Sequence, residues 1–244
     1  MSHNVNPIRF STDTDDTLSE GLWAYWPLNE WGSNDVRRDI VGPRGSDGGP
    51  GRHLSASAFG AADVRDGNLS DAALYLAGSQ WAALEDVTAW PLEGNQDWTI
   101  ALEFYPTFAA ANDSLIAKWY SGGNASFLVQ TYTDSKVYFT VSGDGSATTQ
   151  MNSTNTYTQA AWNRLVVCHD GVGDQIGMTL GATTETPSAH TAGTFAQAYD
   201  VRVGDRTIAD MKYDGRIAHI GVWKKKLSAN EIADLIAGSI PVGT

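Results

Sequence analysis

The chain has 244 residues, of which 42% are hydrophobic, 10% aromatic and only 18% charged, so it can build a sizeable core and does not have the composition of a disordered chain. A formal net charge of −12 leaves no basic surplus to displace counterions from phosphates or to hold anionic headgroups, so no nucleic acid partner is expected. No apolar run reaches about 18 residues, and the first residues contain no apolar signal core, so the expected product is made in the cytosol without a signal peptide and without membrane insertion.

Residues 1–20 are polar and acidic, with Asp13, Asp15 and Asp16 close together, and read as an N-terminal arm. Ile8 and Phe10 beside Pro7 form a short apolar hook in it, suited to anchoring on a partner or on a second copy of the chain. From Gly21 the pattern changes to short runs of period two, the mark of half-buried strands. They are LWAYWPL (22–28), LSASAF (54–59), ALYLA (73–77), WAALE (81–85), WTIALEFY (98–105), SLIAKW (114–119), SFLVQTY (126–132), KVYFTV (136–141), NRLVVCH (163–169), QIGMTL (175–180), YDVRVG (199–204) and RIAHIGVW (216–223).

Turn clusters such as SGGN, SGDGS and DGVGD separate these runs, with Gly supplying positive φ and Asp or Asn closing local hydrogen bonds. GPRGSDGGPG (42–51) reads as a surface loop, and residues 21–244 as one domain. So many short strands with one helix predict an all-β fold, a sandwich of two antiparallel sheets. Trp23, Trp26, Trp81, Trp98 and Trp162 alternate with strand apolars and are expected in the core; Cys168, the one cysteine, is expected to be buried and inert. Lys224, Lys225 and Lys226 read as a solvated edge that discourages strand pairing.

The chain closes on one helix. Ser228 with Glu231 makes a capping box, Leu227 with Ile232 a hydrophobic staple, and Ile232, Leu235 and Ile236 share a face ahead of Gly238. The expectation is a short amphipathic lid against a sheet edge or end.

Five segments in order, GLWAYWPLNE, ALYLAGSQWAALED, DWTIALEFYPT with LIAKW, WNRLVVCHDG and YDGRIAHIGVWKKKLSANEIADL, resemble the laminin-G-like jelly rolls of the concanavalin A-like lectin/glucanase superfamily over residues 21–238. The resemblance implies a two-sheet jelly-roll sandwich whose first and last strands pair, with the terminal helix capping one end. It also implies one Ca²⁺ near the loop after the first strand, for which Asp39 and Asp47 are the candidate ligands, although Ala218 stands in the last strand where many relatives place an Asp.

Glucanases of this superfamily carry alternating carboxylates, E-x-D-x-E or E-x-D-x-x-E, on one strand; here Glu85 and Asp86 are adjacent and Glu103 stands alone. The five histidines are scattered and no G-x-S-x-G occurs, so no enzymatic activity is expected. A lectin-like site is sought instead in aromatic rings and amides. With Phe127 and Val129 inward, alternation turns Gln130, Tyr132 and Tyr138 outward, and Trp119, Tyr120 and Asn124 gather at a loop mouth.

Two functions are therefore expected of the chain. The first is a non-catalytic structural or interaction protein on a bacteriophage virion surface, a decoration or tail-appendage protein that forms homo-oligomers, docks on other virion proteins through its arm and binds host polysaccharide. The second is a free-standing carbohydrate-binding module or lectin. A glycoside hydrolase is the weakest alternative.

Overall fold

The computed structural model describes residues 18–28, 36–37, 54–57, 64–65, 73–77, 80–84, 92–107, 111–120, 124–206 and 211–239. In chain order the elements are β1 (Leu22–Trp26), β2 (Val36–Arg37), β3 (Leu54–Ser57), β4 (Val64–Arg65), β5 (Ala73–Ala77), β6 (Trp81–Leu84), β7 (Trp98–Pro106), β8 (Ser114–Tyr120), β9 (Asn124–Thr131), β10 (Val137–Ser142), β11 (Thr148–Asn152), β12 (Asn163–Asp170), β13 (Gln175–Leu180), β14 (Thr183–Thr184), β15 (Ser188–Ala189), β16 (Val201–Val203), β17 (Asp214–Trp223) and α1 (Ala229–Ala237). Every run expected from the period-two pattern contains a strand. The strands it does not reveal are two-residue pieces, which have no period, and β11, whose TTQMN buries only Met151.

The strands form two antiparallel sheets. The first runs β14-β13-β12-β7-β17-β5-β4, with β1 on the C-terminal half of β17 and β15 on β13; the second runs β11-β10-β9-β8-β16-β6-β3-β2. The first and last long strands pair, Tyr25 against Gly221 and Trp26 against Ile220. Strand alternation assigns the inner faces: Ala82, Val203, Ile116, Val129, Phe139 and Met151 follow one another in register across the second sheet, and Leu74, Ile217 and Phe104 across the first. Both rows meet in one core, with Trp98 tilted against Phe127 and edge-on to Phe139, each 5.8 Å away, and its indole N–H donating to Thr194 Oγ1 at 3.0 Å.

Trp23, Trp26 and Trp98 are core residues as the sequence predicts, but Trp81 and Trp162 are half-buried on outer faces. Trp81 lies under the Arg202 guanidinium, 4.2 Å from its ring centre, and Trp162 stands edge-on to Tyr105. Cys168 is buried, and burial pushes its thiol up to about 11.

Helix α1 begins with the expected box: Ser228 Oγ accepts from Glu231 N–H at 3.3 Å and Glu231 Oε2 accepts from Ser228 N–H at 2.7 Å. It ends at Gly238, in the left-handed region at φ 103, where Gly238 N–H and Ser239 N–H donate to the Leu235 and Asp234 carbonyls. The helix lies on the outer face of the first sheet, not at a sheet edge or end. The reason is compositional: the outward positions of β7, β12 and β17 offer Ala101, Val166 and Trp223, an apolar patch that Leu227 and Leu235 cover. Leu18, read from sequence as arm, is buried in the same cluster, whereas Ile8 and Phe10 lie outside the described residues. The lysines after β17 are not a bare edge either: Lys225 pairs with Glu231 and Lys226 with Asp170.

Candidate functional site

Strand β9 separates the sequence-predicted ligand residues into two groups. Asn124 opens the strand and Gln130 nearly closes it; at about 3.4 Å per residue, Asn124 and Tyr132 are roughly 27 Å apart, so Trp119, Tyr120 and Asn124 share no site with Gln130, Tyr132 and Tyr138.

At the first end Tyr120 pairs with Asn124 across the β8–β9 ladder and stacks flat on Tyr199, 4.6 Å between centroids and 9° between planes. Gln197 fastens the loop carrying Tyr199, its amide N–H donating to the Lys118 carbonyl at 2.6 Å. Tyr199 was missed as a partner in the sequence because 79 positions separate it from Tyr120 and only the fold brings them together. The stack uses one face of each ring for packing.

At the second end Gln130, Tyr138 and Asn152 stand in register on the outer face of the second sheet. The β9–β10 turn is fixed by Tyr132 N–H to the Lys136 carbonyl and by Asp134 Oδ1, which accepts from Lys136 N–H at 3.0 Å; Ser135 takes the left-handed conformation at φ 61. This folds Tyr132 back on Tyr138, with centroids 4.5 Å apart and planes at 35°. Tyr138 donates its hydroxyl proton to Asp134 Oδ2 at 3.0 Å, and this bond raises the phenol pKa. Tyr132 and Tyr138 are half-exposed, Asp134, Gln150 and Asn152 exposed. Gln130 shares the outward row but is 6% exposed, with its amide oxygen unpartnered, so it underlies the ring pair and does not stand free beside it. Ring surface beside a fixed carboxylate and two exposed amides can take C–H groups on the rings and hydroxyls on the polar atoms.

Glu103 is buried with its Oε1 accepting from Arg164 Nε at 2.8 Å, and Glu85 and Asp86 lie outside the described residues. His169 Nδ1 meets the Gln96 carbonyl, His190 lies between Thr149 Oγ1 and the Gly193 carbonyl, and the two rings pack edge to face. Among the described residues no group of three His, Cys, Asp or Glu could hold a metal. Ala218 is fully buried and offers no side-chain oxygen, and Asp39 and Asp47 lie outside the described residues, so as side-chain ligands the calcium expectation rests on those two alone.

Comparison with known proteins agrees with this architecture. No protein of curated function matches the sequence. Among solved structures, the receptor-binding domain of botulinum neurotoxin D superposes with a TM-score of 0.64 at 9% identity over 91% of this chain, which spans about half (53%) of that domain. The binding domain of Paraclostridial mosquitocidal protein 1 gives a TM-score of 0.66 at 10% identity, covering 90% of this chain and 52% of that one. Domain 4 of AbnA, an extracellular arabinanase from Geobacillus stearothermophilus solved with arabinotriose, gives 0.60 at 14% identity, covering 88% of this chain and 98% of that domain. The family model described as Concanavalin A-like lectin/glucanases superfamily matches residues 76–233, from β5 into α1, and the chain belongs to that family.

Proposed function

We propose that the chain is a non-catalytic glycan-binding protein whose platform is the Tyr132 and Tyr138 corner of the second sheet. The observation that carries this reading is the pair of half-exposed rings 4.5 Å apart with Asp134, Gln150 and Asn152 around them. A sugar stacks its C–H face on such rings and hydrogen-bonds its hydroxyls to the carboxylate and amides. The arabinanase domain of like fold, solved in complex with arabinotriose, supports a saccharide as the ligand class. The absence of catalysis is supported by Glu103, which is committed to Arg164 under α1 and has no alternating carboxylates on its strand.

The finer reading places the protein on a virion surface, recognising host polysaccharide and assembling through its arm. Its support is the polar stretch before Leu18, in which Ile8 and Phe10 beside Pro7 form a short apolar hook. Peptide mass spectrometry of purified particles tests it, and particles free of the chain reject it.

The platform is tested by calorimetry against a polysaccharide panel with wild type, Tyr132→Ala and Tyr138→Ala. Each variant is expected to weaken binding by about tenfold, equivalent to roughly 1.4 kcal/mol, with an unchanged melting temperature. Equal affinities in all three proteins would remove the platform, and release of reducing sugar would remove the non-catalytic reading.

A further inference from the structure

The outer face of the first sheet holds a second polar centre, at the end of α1. Strand β17 bulges there: Ala218 faces Glu103 and Gly221 faces Ala101, so His219 and Ile220 together oppose Leu102. Ile220 turns into the core, while His219 adopts φ 52, a left-handed conformation that a non-glycine residue keeps only when its surroundings enforce it. Tyr25 is the enforcing neighbour. Its hydroxyl meets His219 Nδ1 at 2.5 Å and the two rings stack, 6.1 Å between centroids. Burial, assisted by the Glu103 charge, raises the Tyr25 pKa, so the phenol keeps its proton, and the tautomer assigned to His219 is the one in which this hydroxyl donates to Nδ1. The neutral imidazole then carries its own proton on Nε2. This N–H has no hydrogen-bond partner, on a residue only 8% exposed.

His219 lines a cleft of about 30 Å³. Glu103 and Arg164 form its polar wall, and Arg164 Nη1 donates to the Ile236 carbonyl at 2.6 Å. Trp223 and Leu235 give it an apolar side. Such a volume admits about two water-sized atoms. An anion finds no net positive charge in it, because Glu103 neutralises Arg164 and the C-terminal end of α1 turns its negative pole this way. The ligand group that fits is therefore neutral, two heavy atoms long, accepts from Nε2–H and can donate to a carboxylate: a hydroxymethyl arm.

The surface beside the cleft suits the rest of a sugar. Tyr105 follows Glu103 by two residues on the same face, about 7 Å along β7, and stands in register with Arg216 and Tyr75. Trp162 packs edge-on to Tyr105 at 5.7 Å and Arg216 lies over it at 4.7 Å, all half-exposed.

We propose that this cleft, with Tyr105 and Trp162 as its rim, is a second saccharide site, selective for neutral sugars whose hydroxymethyl group reaches His219 Nε2–H. It takes from the proposed function only the ligand class; the sheet and the residues are different.

The test follows the histidine side-chain ¹H–¹⁵N signals of the full chain during titration with methyl β-glucoside, and with methyl β-xyloside, the same ring without the hydroxymethyl group. The glucoside is expected to shift the His219 Nε2–H signal saturably and the xyloside to bind at least about tenfold more weakly. Because a His219 variant loses the Tyr25 contact and risks the fold, the rim is varied instead: Trp162→Ala should weaken the glucoside response while keeping the melting temperature, and Tyr138→Ala should leave it intact. A His219 signal that never moves, equal responses to both sugars, or a response lost in Tyr138→Ala overturns the second site. Loss of polysaccharide binding in Tyr138→Ala with an unaltered His219 response, by contrast, supports both sites as separate, and a His219 response without any effect of Tyr138→Ala on polysaccharide binding rejects only the first.

Discussion

The indole N–H of Trp223 donates to the carbonyl of Leu18 at 2.7 Å, tying the stretch ahead of β1 to the end of the last strand. Leu18 is 5% exposed among Trp223, Leu227 and Leu235. The fold therefore begins before Gly21. Truncation of residues 1–17 should leave the urea midpoint in place, while truncation through Glu20 should lower it; Leu18→Ala alone should cost about 2–4 kcal/mol, in the range of buried Leu→Ala changes. Identical midpoints for the two truncations would show that the Leu18 contact contributes nothing. The 1–17 truncation also removes Ile8 and Phe10, so sedimentation of the same protein reads whether they serve self-association.

Ser228→Ala should destabilise the protein by about 0.5–2 kcal/mol, the usual effect of losing an N-cap. Here both arms of the box are made, and Lys225 also holds Glu231 at 2.7 Å. Glu231→Gln keeps the reciprocal bond to Ser228 N–H and loses the ion pair, so it should cost less than Ser228→Ala in thermal unfolding. The reverse order would assign the helix start to the Lys225 pair.

Local features were legible in the residues themselves, and the pairing of the first and last strands through the family resemblance, but the other long-range features were not. The capping box needs four consecutive residues and the outward row Gln130, Tyr138 one hairpin, and both are formed. The docking place of α1 depends on Ala101, Val166 and Trp223 meeting from three strands, which no local pattern encodes. The same holds for Tyr75, Arg216 and Tyr105, brought into one row by pairings of β17 with strands more than a hundred positions earlier. The bulge at His219 leaves one trace as a histidine inside RIAHIGVW, a break in alternation that resembles an ordinary polar position. Gly221 is a second trace: a Cβ there would lie 2.4 Å from the Trp223 ring.

Chelation tests the calcium reading. If Asp39 and Asp47 hold Ca²⁺ in the native state, chelator lowers the melting temperature and excess Ca²⁺ restores it, because a ligand bound only by the folded chain stabilises it by mass action. Superimposable melting curves would leave both residues as turn formers.

Acid stability should be set by opposed groups. His219 is buried against Tyr25, Glu103 and Arg164, and burial, with the Arg164 charge, pushes its pKa down from 6.5 to about 4. Between these values the unfolded chain binds a proton that the folded chain refuses, so stability falls as pH drops through that window, by roughly 3 kcal/mol when pH 4 is reached. His169, lowered chiefly by burial, acts in the same direction. Asp113 acts in the other: burial first and Asp214 second raise its carboxyl from 3.8 to about 6, so the folded chain binds the proton more tightly and gains stability as pH falls from 6 towards 3.8. Asp113→Asn removes this part of the compensation while leaving both histidines, and Asp205, whose carboxyl burial also raises, in place. Its urea midpoints between pH 7 and pH 4 should therefore decline more steeply than those of the wild type. A profile parallel to the wild type would mean that Asp113 does not titrate in this window, and a flat profile in the variant would mean that His219 takes up its proton in the folded state as readily as in the unfolded one.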